Sequence, residues 1–143
     1  MNRKEFLNHV KNHLAEYGIT LNLGKGEEIN SDGLRLGGYF DEDKKEIRIA
    51  KHNKNWFSIL VHEYCHFMQW IEKSPTMKKF NKEACGWDDW LFHRLELSPI
   101  DVQKKYEAIR NLELDCEKRT VAMMKKFELP INTLQYTQSA NAY

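Results

Sequence analysis

The segment His62-Glu63-Tyr64-Cys65-His66 brings two imidazoles and a carboxylate together inside an otherwise apolar run, WFSILVHEYCHFMQW, from Trp56 to Trp70. On a helix, His62 and His66 stand at i and i+4 and project from one face a single turn apart. A nitrogen from each can then reach one tetrahedral ion. Glu63 lies about 100° further round the axis, where it can address a metal-bound water without ligating the metal itself. Unpaired ionisable groups are costly inside an apolar helix, and a bound metal compensates for burying them. The pattern predicts one Zn2+ per chain, with His62 and His66 as ligands and Glu63 as catalytic base.

Zinc in a hydrolytic site takes a third protein ligand and leaves its fourth position to water. Downstream, LELDCEKRT offers Glu113 and Glu117. At about 100° per residue, Ile109, Cys116, Thr120, Met124 and Phe127 share one helix face. Glu113 falls near its centre, Glu117 at its border, and Asp115 on the opposite side. Glu113 is therefore assigned as third ligand. Glu117, one turn on, would accept a hydrogen bond from a ligand histidine, or the two roles are exchanged. Cys85, beside Gly86, and His93 are the alternative ligands. Cys65 and Cys116 read as small residues where two helices approach closely.

These residues need helices to hold them. Phe6, Leu7, Val10, Leu14 and Tyr17 predict a helix over 2–17, closed by Gly18. Alternation in ITLNL and EIRIA, with GLRLGGYF between them, predicts two or three antiparallel strands before Lys51. Tyr39–Phe40 and Ile47–Ile49 form a hairpin in this reading. Asn53 or Asn55 caps the metal helix, which runs to about Lys73 and is ended by Ser74-Pro75. Residues 76–97 predict only a short helix or loop. Ser98-Pro99-Ile100-Asp101 is a strong helix start, and that helix should reach Phe127, with a further short one in the tail. The expectation is an α+β fold, mainly helical with a small antiparallel β-sheet next to the metal helix, in a single domain spanning 1–143.

The bulk composition fits an ordinary globular chain: 143 residues, 41% apolar and 30% charged. A net charge of +1 gives no global pull toward nucleic acid or an anionic membrane. No apolar run approaches the length of a membrane span, and no leader sequence is visible. Three widely spaced cysteines without a C-x-x-C pair suit a reducing cytoplasm.

With these residues in view, the chain resembles the zincin metallopeptidases, in the group with glutamate as third ligand. The H-E-x-x-H at 62–66 and the acid pair at 113–117 are similar to that group's two motifs. GGYFDEDKKEIRIA followed by LVHEYCH resembles the hairpin and active-site helix of ImmA/IrrE-type peptidases. HEYCHFMQW, ELDCEKRT and the final ANAY are closer still to small metallopeptidases encoded in phage genomes. The resemblance covers roughly residues 36–143. It implies a zincin-like fold, hydrolysis of peptide bonds in a peptide or protein substrate, and a cytoplasmic location, the host's for a phage-encoded chain. It also implies that the strand before the metal helix is a sheet edge holding substrate as an added strand, here Ile47–Ala50; an extended peptide pairs with any open edge. Tyr136, Tyr143 and His93 are candidate donors to the oxyanion. The alternatives are a zinc-binding regulatory module whose tail, YTQSANAY, covers the cleft without turnover, and a SprT-like DNA-associated protease, for which no basic domain or zinc ribbon is seen.

Overall fold

The first helix, α1 (Arg3–Glu16), begins where the Asn2 side chain accepts a hydrogen bond from Glu5 N at 2.8 Å. Phe6, Val10 and Leu14, four residues apart, give it a fully buried face. It ends at Gly18, whose φ of 70° lets Gly18 N return to Ala15 O and Ile19 N to Leu14 O. The computed structural model describes residues 1–31 and 34–141.

Five short strands follow: β1 (Thr20–Gly24), β2 (Ile29–Ser31), β3 (Leu34–Leu36), β4 (Gly38–Asp41) and β5 (Glu46–Ala50). β2 and β3 pair with each other, while the other three form a sheet in the order β1-β5-β4. The β4–β5 hairpin is antiparallel with Phe40 opposite Ile47, as the alternation predicted. Asp41 closes its turn, accepting from Asp43 N and Lys44 N.

Two sequence expectations about this sheet are corrected. β1 runs parallel to β5, with Leu21 beside Ile47 and Leu23 beside Ile49, so the sheet is mixed rather than antiparallel. The residues between β1 and β5 supply the long connection that a parallel pair requires. Consequently Ile47–Ala50 is the central strand and not an edge. Ile47 and Ile49 are completely buried, and a strand so placed gains from ladders on both sides. The open edge on the hairpin side is β4. Ala50 N donates to Gly37 O, so alternation along the ladder turns the backbone groups of Gly38 and Phe40 away from β5.

Five more helices complete the α+β fold: α2 (Trp56–Glu72), α3 (Pro75–Glu83), α4 (Trp87–Leu91), α5 (Pro99–Lys126) and α6 (Thr133–Asn141). Ser74-Pro75 ends α2 as expected, and it also starts α3. Ser74 N donates to Gln69 O, while Ser74 Oγ accepts from Met77 N with Pro75 in the first turn. Ser98 and Pro99 open α5 in the same way, with Asp101 N donating to Ser98 Oγ. No helix among the described residues is long and apolar enough to cross a membrane.

The chain divides into two compact units, residues 1–67 with 119–143, and residues 68–118. In the first, Phe6 is the hub of an aromatic core, with Phe57 and Tyr64 edge-on at 5.8 and 6.0 Å and Phe127 at 5.9 Å. In the second, Met77, Ala108, Leu112 and Cys116 are buried, and Trp87 contacts both Trp90 and Tyr106.

Gly37 and Gly38 let β4 lie flat against α2. A Cβ on Gly38 would stand 2.8 Å from both Ile49 Cδ1 and Ile59 Cγ2 and 3.0 Å from Arg48 O; one on Gly37 would stand 2.6 Å from Ile59 Cδ1. Gly38→Ala should therefore destabilise the protein by about 1–3 kcal/mol, as other overpacking substitutions do. A urea midpoint equal to wild type would show that the strand has room to spare.

Candidate metal centre

α2 divides its circumference sharply. Leu60, Val61, Tyr64, Cys65 and Phe67 are buried, whereas His62, Glu63 and His66 are half-buried. At about 100° per residue the three ionisable residues fall within roughly one third of the circumference, opposite Tyr64 and Leu60. The helix thus buries its apolar arc and leaves this arc partly open, so His62, Glu63 and His66 are spared full desolvation. The imidazoles of His62 and His66 have ring centroids 4.8 Å apart and planes at 88°. A ligating nitrogen of each lies within 4.8 Å of the other.

The acid pair sits on α5. The carboxylates of Glu113 and Glu117 present oxygens within 4.8 Å of each other, one turn apart as the spacing predicted. The buried stripe of that helix is Ala108, Leu112, Cys116, Thr120 and Met124. It includes Ala108 and Leu112, while Ile109 and Phe127 are only half-buried. Glu113 therefore occupies a border of the stripe rather than its centre, with Glu117 just beyond it. Asp115 lies on the other border and does not point to open solvent. Its Oδ2 accepts a hydrogen bond from Gln69 Nε2 at 2.7 Å.

Of the alternative ligands, Cys85 and His93 are both exposed, and neither joins a group of three metal-ligating side chains among the described residues. Cys65 and Cys116 are each completely buried and outside any disulfide. Tyr136 lies in α6, and Tyr143 is outside the described residues. Gln69 and Asp115 were missed in the sequence. A signal existed for Gln69: seven residues after His62, it repeats that histidine's helix face within about 20° in an apolar run.

Behind the open arc, α2 is braced by α1. His13 Nδ1 and the Tyr64 hydroxyl share a hydrogen bond of 2.5 Å, and Tyr64 stacks on Phe67. Burial, with smaller contributions from Cys65 and Glu16, pushes the Tyr64 hydroxyl up to about 12, so it keeps its proton at neutral pH. His9, one turn before His13, packs against Tyr64 and Phe127. Burial, then His13 and Lys126, hold its pKa below the ordinary 6.5.

No protein-family model, curated protein or solved structure matches the chain.

The His9 environment has a consequence for acid stability. Because its folded pKa lies below 6.5, the unfolded chain takes up a proton that the folded chain refuses. Its contribution is intact above pH 6.5 and is lost as pH falls from there through the folded value. His9→Gln should flatten this part of the stability profile, measured by urea unfolding from about pH 7.5 to about pH 5. An undiminished slope in the variant would assign the acid sensitivity to another group.

Proposed function

We propose that this chain is a zinc-dependent metallopeptidase of zincin type, with His62, His66 and Glu113 as metal ligands and Glu63 as general base. Glu117 supports the ligand set or exchanges roles with Glu113. The observation that carries this reading is the open arc of α2, where two imidazoles stand one turn apart with a carboxylate at the intervening position.

Gln69 Nε2 donates to Leu112 O at 3.0 Å, so the end of α2 meets α5 within the unit of residues 68–118, next to the turn that carries Glu113. Imidazole nitrogen and carboxylate oxygen are the donor types that zinc takes in hydrolytic centres, so the residues fit the ion.

Zinc, when bound, supplies a Lewis acid that polarises a carbonyl and lowers the pKa of water toward ~7. The chain's own residues do the rest. Glu63 accepts the proton of the attacking water on a carboxylate oxygen as the water oxygen bonds to the scissile carbon. It then delivers that proton to the amide nitrogen as the C–N bond breaks. The substrate strand belongs at β4, the hairpin-side edge of the sheet, where the ladder turns the backbone groups of Gly38 away from β5 and Gly37-Gly38 keep β4 close to α2 at Ile59. An extended peptide can add there through main-chain hydrogen bonds. Three cysteines outside any disulfide suit a reducing, cytoplasmic location.

The test is Glu63→Gln. Cleavage of a mixed unstructured peptide library, followed by mass spectrometry, should fall by at least ~10²-fold. Zinc per chain should stay at the wild-type level. Undiminished cleavage would remove Glu63 from the chemistry, and wild-type protein that takes up no zinc would remove the peptidase reading altogether.

A further inference from the structure

Gln69 is completely buried, although it continues the face that carries the two histidines. A primary amide costs free energy there unless its donors are matched. Its Nε2 donates to the main-chain Leu112 O at 3.0 Å and to Asp115 Oδ2 at 2.7 Å, on successive turns of α5. The same carboxylate oxygen accepts from Thr76 Oγ1, in the first turn of α3, at 3.4 Å. Thr76 in turn lies 3.3 Å from Ser74 Oγ, the cap of that helix. The network therefore ties three helices of the unit formed by residues 68–118.

Two properties distinguish this contact from ordinary packing. Apolar side chains slide past one another at little cost, whereas a hydrogen bond weakens steeply once its distance and angle leave a narrow range. One acceptor is also a backbone carbonyl, fixed in height along α5, where a side-chain acceptor could follow a shift. The second acceptor is a carboxylate, whose hydrogen bonds are about twice as strong as neutral ones. A donor shared between the two holds the turn Leu112–Asp115 of α5 at a set height against Gln69.

We infer that Gln69 and Asp115 are positioning residues for the metal centre, holding in place the turn of α5, between Leu112 and Asp115, that carries Glu113. The inference rests on the metallopeptidase reading. A group that orients ligands from outside the ligand set typically changes metal affinity by about 10–100-fold when removed.

The experiment measures zinc affinity by competition with a chromophoric chelator, at a temperature where circular dichroism shows each variant folded. Gln69→Met keeps length and volume but has no donor, and should bind zinc at least about tenfold more weakly than wild type. Asp115→Asn keeps an oxygen acceptor for Gln69 and should stay within about threefold. Asp115→Ala retains the bond to Leu112 O, should show an intermediate loss, and carries the test if Gln69→Met does not fold. The visible spectrum of the Co2+-loaded protein gives a second readout, since its bands report ligand geometry. It should change in Gln69→Met and Asp115→Ala but not in Asp115→Asn. Equal zinc affinity and unchanged Co2+ spectra in all the folded variants would overturn the positioning role while leaving the peptidase reading intact. A wild type without zinc affinity would overturn both.

Discussion

A helix that carries ionisable groups in an apolar sequence has one workable solution, which is to divide its circumference. α2 does so: Leu60, Val61, Tyr64, Cys65 and Phe67 take the buried arc, while His62, Glu63 and His66 keep partial access to water. The surrounding elements follow from that division. α1 supplies Phe6 and His13 to cover the Phe57–Tyr64 side. The sheet supplies Phe40 to cover Phe67. Two glycines in succession bring β4 close enough to touch Ile59 without forcing side chains between strand and helix.

The same division explains why polar atoms deep in the protein are matched rather than avoided. Tyr64 is on the buried arc, and its hydroxyl meets His13. Gln69 returns to the open-arc face after the helix has become buried, and there meets a carbonyl and a carboxylate. In both cases the side chain's polar group sits where an aliphatic residue would give more apolar contact. A matched bond of this kind contributes only about 1 kcal/mol net, but leaving one partner unmatched costs more. Such pairs therefore specify one arrangement of helices more than they add to its stability.

Much of this was legible in the sequence, for local reasons. Asn2, Gly18, Ser98 and Pro99 act on neighbouring backbone groups, so the ends of α1 and α5 could be read within a residue or two. The His62–His66 spacing is likewise a property of a single helix. The errors about the sheet were non-local. The direction of β1 depends on pairing with a strand more than twenty residues away, and alternation alone does not tell parallel from antiparallel. Assigning Ile47–Ala50 to an edge failed for the same reason. The buried stripe of α5 was placed one step off, through Ile109 and Phe127 instead of Ala108 and Leu112. The Ser74-Pro75 signal was read as a stop only, although Ser98-Pro99 was read correctly as a start, and α3 was lost as a result.

The grouping of residues 1–67 with 119–143 bears on how the chain folds as it is made. Phe6, buried at the hub of the aromatic core, rests on Phe127, so part of its shelter is supplied by residues synthesised long after it. A nascent chain that has emerged only as far as α4 already displays α1, the sheet and the apolar arc of α2 without their late partner. Contacts between such distant positions are entropically slow to close, and exposed apolar surface in the interval invites association with other chains. The order of assembly is thus built into the topology: the aromatic core behind His62 and His66 is completed only after Phe127 has been made.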